Sequence, residues 1–242
     1  GYGADTTSGK LSIRTANSGA NGVSGVLDFT SGKSLDGTSG SIAMTTGEST
    51  AGAGGEIALS VGEGDTGSGG QVAITAGKTT AAATGGLVTV TGGEGVNRGG
   101  EVLLTAGVAT THTGGGVTMM TGQGTVSSSG AISIKSANAG ATGVSGVLVF
   151  SSGTSSSGTS GSISIGTGAA TAGKAGALSI TVGSGNSGAG GQLSVTSGQS
   201  TVHTGGSVGI STGAGVASSS GAITIKSANA GATGVSGVLV FS

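Results

Sequence analysis

The chain of 242 residues contains no proline, no cysteine and no tryptophan, and aromatic residues make up only 2% of it. Without cysteine the chain forms no disulfide bonds, so its stability must come from packing and backbone hydrogen bonds. Without proline or a Gly-X-Y period, its 58 glycines do not indicate a collagen helix. No apolar run approaches the roughly 18 residues that a membrane-spanning helix needs, so we expect no membrane span.

Charge is also scarce and unevenly placed. Charged residues make up 7% of the chain and the net charge is −1, which argues against nucleic acid as a partner. All nine acidic residues lie within 1–101, and with five basic residues they give that part a charge of −4, whereas 102–242 carries three lysines and a charge of +3. We read this difference as drift on a solvated surface, with stacking of oppositely charged ends as the alternative.

What the chain does contain is a repeated unit of about 15 residues. Each unit begins with a glycine, here called position zero, and carries large apolar residues at positions two and four. Serine, threonine, alanine or glycine fills most of the remaining positions. The position-zero glycines are Gly9, Gly25, Gly40, Gly55, Gly70, Gly86, Gly100, Gly115, Gly130, Gly146, Gly161, Gly176, Gly191, Gly206, Gly221 and Gly237.

We call the residues at positions two and four the apolar pair of a unit. Apolar residues that alternate with small polar ones are typical of a β-strand with one buried face. Helix is excluded by this spacing and by the glycine content. The predicted core is formed by Leu11, Ile13, Leu27, Phe29, Ile57, Leu59, Ile132, Ile134, Leu148, Phe150, Ile163, Ile165, Leu178, Ile180, Ile223, Ile225, Leu239 and Phe241, with equivalent residues in the other units.

A corner is predicted after each strand. A glycine recurs there, which indicates a backbone angle that disfavours a Cβ atom, and asparagine, which also tolerates the left-handed region, replaces it in some units. The predicted corner residues are Gly47, Gly62, Gly77, Gly153, Gly168, Gly183, Gly198, Asn138 and Asn229.

These patterns predict an all-β fold, a β-solenoid of stacked parallel strands made of 16 units. A single unit cannot bury its apolar pair, and stacking of successive units solves this problem. We favour one unit per coil, with two units, about 30 residues, per coil as the alternative. A sandwich of antiparallel hairpins is a third option, against which the near-constant unit length and the lack of two-residue turns count.

The domain prediction is one continuous repeat array over 1–242. It comprises a lead-in (1–8), eight units (9–129), six units (130–220) and two final units (221–242), the last truncated. A 23-residue segment that begins at Ser129 returns almost unchanged at Ser220, and a diverged copy begins at Ser8. Since no capping helix or proline blocks the terminal units, we expect the array to continue into more chain or into another copy.

Residues for catalysis or metal binding are scarce. His112 and His203 occupy equivalent turn positions six units apart, which predicts solvent-exposed histidines and no metal site. Gly62-Glu63-Gly64-Asp65 is a lone partial match to a calcium-binding nonapeptide, and no Ser-His-Asp arrangement is recognisable. We therefore predict no enzyme activity, no cofactor and no metal.

Two segments, Ser160–Gly168 (SGSISIGTG) and Gly190–Gly198 (GGQLSVTSG), carry a resemblance that extends over all 16 units. The chain resembles glycine-, serine- and threonine-rich β-solenoid repeat proteins of microbial or algal extracellular fibres and cell surfaces. This resemblance implies an extracellular or cell-surface location and a structural role.

From these observations we expect a structural protein that forms or extends an extracellular filament by end-to-end stacking of coils. Its partner would be a further copy of itself or a longer parent chain, and the serine and threonine columns offer acceptors for O-linked glycans. Two alternatives are the shaft of an adhesin or fibre and an ice-binding solenoid. The second needs a regular outward threonine array, which Thr89 and Thr91 fit but Ser133 and Lys135 do not.

Overall fold

The computed structural model of the chain describes residues 8–241, so most of the predicted lead-in lies outside the described residues. Over 8–241 there is no helix and no β-strand. The prediction of an all-β solenoid, with either one or two units per coil, is therefore wrong.

The hydrogen bonding of the backbone gives the physical reason for this correction. A β-strand needs backbone N–H and C=O groups that pair with a neighbouring strand. Within the described residues, the backbone hydrogen bonds instead join groups at most nine positions apart, as in Gly86 N–H to Gly77 O at 2.9 Å. Glycine, which is frequent in every unit, also loses the most conformational freedom when it is fixed in a strand.

Contacts group the chain into two units of similar size, Gly1–Met119 and Met120–Ser242, here called the first half and the second half. Each half contains eight of the position-zero glycines. In each half, extended segments that carry the apolar pairs alternate with bends. The bends lie at 20–21, 35–37, 50–52, 65–68, 81–83, 96–97, 110–112, 125–127, 141–142, 156–158, 171–173, 186–189, 201–203, 216–218 and 232–234.

Every bend lies between a corner and the next position-zero glycine, and the two ends of this loop come close together. In several loops the amide of the position-zero glycine donates a hydrogen bond to the corner carbonyl, as Gly206 does to Gly198 O at 2.9 Å. Side chains close other parts of the loops. The Ser200 hydroxyl accepts a hydrogen bond from the amide of His203 at 2.9 Å, and Thr79 Oγ1 accepts one from Ala81 at 3.2 Å.

The residue at position six, immediately before the corner, contacts the next position-zero glycine at every junction from Thr15–Gly25 to Ser227–Gly237. A Cβ atom on that glycine would lie between 2.7 and 3.6 Å from the position-six residue, and the shortest distances involve Val61 and Val182. At four of these glycines, Gly70, Gly86, Gly100 and Gly191, a Cβ atom would come closer than 3.0 Å to another atom, so close approach requires glycine there. The position-six residue is never larger than valine.

The corner glycines do not show the backbone angle that the sequence predicts for them. A Cβ atom on any of the seven predicted corner glycines would meet nothing within 4 Å. Among the described residues, positive φ values occur at Gly37, Gly67, Gly158 and Gly188, all in the bends, and no residue other than glycine has one. The predicted left-handed corner is therefore wrong for these glycines and for Asn138 and Asn229.

The predicted core is not buried. None of the described residues is a buried hydrophobic residue, and the 18 predicted core residues are 41–84% exposed, from Leu239 to Leu11 and Phe241. Valines in the bends are more exposed still, with 98% for Val126 and 104% for Val216. The apolar pairs are thus partly shielded, but nothing in either half covers them.

The loop closure leads to a first prediction. In Gly86→Ala, the new Cβ would lie 2.9 Å from the backbone nitrogen of Gly77, which forces the two ends of the loop apart. One backbone hydrogen bond stabilises the closed loop by about 0.5–1.5 kcal/mol. We therefore expect the amide of residue 86 to exchange its hydrogen about threefold to tenfold faster in the variant. Hydrogen-exchange mass spectrometry of the full chain measures this rate. Gly77→Ala is the matched control because its Cβ would meet nothing within 4 Å, and equal effects of both substitutions would contradict the prediction.

Candidate functional site

The apolar pairs of consecutive units face a common space at the start of the first half. Pairs from the units that begin at Gly9, Gly25 and Gly40 line one open groove of about 570 Å³. The lining residues are Leu11, Ile13, Phe29, Ile42, Ala43 and Met44. The structure therefore brings Leu11, Ile13 and Phe29 to one groove.

This groove lacks the features of a small-molecule site. Its volume lies in the usual range, but such sites combine an apolar lining with a few polar groups that orient the ligand. Here every lining side chain is apolar. The groove is therefore suited to receiving further apolar side chains and offers no group for chemistry.

A second cavity, of about 240 Å³, lies at the first Ala-Asn corner and is lined by Arg14, Thr15, Ala16 and Asn17. Its only charged side chain is that of Arg14. It contains no acid, no base and no nucleophile other than a threonine hydroxyl, so it provides no catalytic arrangement.

The histidines occupy the bends, as their turn positions predict. His112 Nδ1 lies 2.8 Å from Thr111 Oγ1, and the backbone amide of His203 is held by Ser200. Both histidines are exposed. Within 8–241 no three His, Asp or Glu side chains are grouped so that they could hold a metal ion.

The exposed apolar pairs therefore form the candidate site, and they run through both halves. The side chain at position two is generally the more shielded of the two, with 54% exposure for Ile163 against 70% for Ile165. Among the described residues the structure holds no helix that is long and apolar enough for a membrane crossing.

The position-six residues are the structural feature that our sequence reasoning missed. The available signal was their size, because serine, threonine, alanine, glycine and valine fill that position in every unit. They lie beside the next position-zero glycine, where the two ends of the loop come together.

The ice-binding alternative stays a prediction. A flat threonine array needs side chains at constant spacing on a regular strand, with successive threonines on one face. Residues 8–241 contain no β-strand that would hold Thr89 and Thr91 in such an array.

The groove leads to a second prediction. A fluorescent dye that binds apolar surfaces should bind in the groove, and Phe29→Ser should weaken that binding. Because a phenylalanine side chain that leaves water contributes about 1.5–3 kcal/mol, we expect about tenfold weaker binding at this site. Titration of the full chain with the dye measures it. Val23→Ser is the control, since Val23 is 96% exposed and lies outside the groove, and an equal loss there would contradict the assignment.

Comparison with protein-family models, with curated proteins and with solved structures finds no match for this chain. Its function is therefore inferred from its own residues, above all from the apolar pairs.

Proposed function

We propose that the chain is a structural protein that forms or extends an extracellular filament by association of copies along their apolar pairs. The observation that carries this proposal is the exposure of the apolar pairs throughout the described residues. The extracellular location follows from the resemblance to repeat proteins of fibres and cell surfaces.

The amount of exposed surface supports association. The chain has an accessible surface of 23682 Å². A compact monomer of this mass would expose about 9,000 Å² and its fully extended chain about 31,000 Å². The excess of roughly 14,000 Å² is many times the ~1,600 Å² that a standard protein interface buries. A single copy thus leaves far more surface in water than stable specific contacts need.

The energetics of this surface explain why it should be covered. Fixing the backbone costs about 1–2 kcal/mol for each residue, and burial of apolar surface is the main term that offsets this cost. The described residues of one copy contain no buried hydrophobic residue. The missing burial must then come from outside the copy if the extended segments are to be stable in water.

The period of the apolar pairs indicates which partner supplies it. A covering surface has to present apolar groups at the same spacing of about 15 residues along both halves. Another copy of this chain meets that requirement, because it carries the same pairs at the same spacing. A partner without repeats would cover only a few units and leave the others exposed.

The test is a third prediction, made on the full chain. We expect sedimentation velocity and negative-stain electron microscopy to show elongated assemblies whose mass rises with concentration over about a hundredfold range. Particles of monomer mass at every concentration would contradict the proposal and would favour the alternative of a shaft within a longer adhesin or fibre.

The apolar pairs can be tested directly by substitution. Ile132→Ser with Ile134→Ser removes one pair, and each side chain is expected to contribute about 1.5–3 kcal/mol when it is buried in the assembly. The lowest concentration that gives assemblies should therefore rise by at least about tenfold.

The matched control is Val126→Ser with Val144→Ser. These valines are exposed like the two isoleucines, but they lie in or near bends and outside the apolar pairs, so they should change assembly little. Equal effects of the two double substitutions would show that hydrophobicity in general, and not the apolar pairs, drives association.

A further inference from the structure

We propose that copies associate with one polarity, the first half of one copy docking against the second half of another, because the two halves carry opposite charge. The inference rests on the proposed function and adds to it the partner surface and its direction. The occupant of each half is thus the opposite half of a second copy of this chain.

The first observation is the charge of the halves. No charged residue lies in 102–119, so the boundary between the halves leaves −4 in the first and +3 in the second. Every charged side chain among the described residues is exposed. Opposite charges on exposed surfaces steer association and raise its rate, whereas like charges suppress the wrong pairing.

The second observation is that the halves are tandem versions of one pattern. The positive-φ glycines Gly37 and Gly158 lie 121 positions apart, and so do Gly67 and Gly188. A Cβ atom added to Gly70 would lie 2.7 Å from Val61, one added to Gly191 would lie 2.7 Å from Val182, and these two sites follow the same offset. Equivalent positions of the two halves therefore share local backbone geometry.

Charge is what differs between these equivalent positions. Each acidic residue of the first half that lies in the described repeats has an uncharged counterpart in the second half. The pairs are Asp28 with Val149, Asp36 with Ser157, Glu48 with Ala169, Glu56 with Ala177, Glu63 with Ser184, Asp65 with Asn186, Glu94 with Ala214 and Glu101 with Ala222. Conversely, two of the three lysines of the second half, Lys174 and Lys226, occupy positions equivalent to the uncharged residues Ala53 and Thr105.

The apolar pairs do not follow this difference. Leu27 and Phe29 correspond to Leu148 and Phe150, and the apolar pattern holds in every unit of both halves. Apolar contacts would therefore allow a first half to pair with either half of another copy. Charge then selects the opposite half, because two first halves would place −4 against −4.

This selection has a geometric consequence. Each copy has one acidic and one basic half, so each half binds a different surface from its own. When the two halves of a copy bind two different neighbours, the contact is heterologous and produces an open filament, whereas two copies that bind each other through both halves form a closed pair. A filament built in this way has two different ends.

The fourth prediction uses charge reversal in the full chain. An acidic variant carries Lys135→Glu, Lys174→Glu and Lys226→Glu, which takes the second half from +3 to −3. A basic variant carries Glu48→Lys, Glu63→Lys, Glu94→Lys and Glu101→Lys, which takes the first half from −4 to +4. All seven side chains are exposed.

Each variant alone has two halves of like charge, so at low salt we expect assembly, followed by light scattering, to be at least about tenfold slower than for the unaltered chain. An equimolar mixture of the two variants should regain the rate. A combined variant with all seven substitutions has opposite halves again, with reversed polarity, and should assemble alone. The differences should shrink as salt is added, because the screening length falls to about 10 Å at 0.1 M.

The outcomes separate this inference from the proposed function. Failure of the unaltered chain to assemble overturns the proposed function itself. If the unaltered chain assembles and the acidic and basic variants assemble equally fast, the proposed function stands and the polarity is wrong. If the separate variants fail and neither the mixture nor the combined variant recovers, the lysines and glutamates act in another way, which also overturns the polarity.

Discussion

The structure depends on a mismatch between the size of the repeat and the apolar surface that it carries. A unit of about 15 residues with two large apolar side chains is too short to fold back and cover them itself. The units of both halves share this lack of apolar burial, and the described residues contain no buried hydrophobic side chain that would offset it. In the assembly that we propose, a second surface with the same period stabilises the extended segments.

Local order nevertheless exists within each unit, and it is concentrated in the loops. Glycine at position zero lets the chain approach the residue at position six, and the short hydrogen bonds of the loop, such as Gly115 N–H to Gly107 O at 2.9 Å, then hold its ends together. These contacts join residues at most ten positions apart. Closing a loop of that length has a small entropic cost. The loops can therefore form in a single copy, whereas under our proposal the apolar pairs become buried only when copies associate.

Several features could be predicted from the sequence because they are local. The period, the residues of the apolar pairs and the exposed histidines follow from composition and spacing alone. The β-strands could not be predicted reliably, because alternation at Ile163 and Ile165 reports which side chains share a face and does not show whether the backbone finds a neighbour to pair with. The role of the glycines was misassigned for a related reason. A glycine at Gly62 and one at Gly70 look alike in sequence, but only Gly70 has a side chain within contact distance of where its Cβ would be. The sequence could predict that Leu11, Phe29 and Ile42 lie near one another, since equivalent positions of a repeat tend to share a face. It could not predict that the groove between them is open to solvent.

The contact between position six and the following glycine also bears on how such a chain changes in evolution. Because each junction involves only two adjacent units, inserting or deleting a whole unit creates a junction of the same kind as the one it replaces. A gene with this repeat can therefore lengthen or shorten by unequal recombination without a need for compensating substitutions elsewhere. Such events would leave near-identical copies in the sequence, and the segment that begins at Ser129 does recur almost unchanged from Ser220. The contour length of the protein then becomes a trait that varies in steps of one unit, independently of the chemistry of its surface.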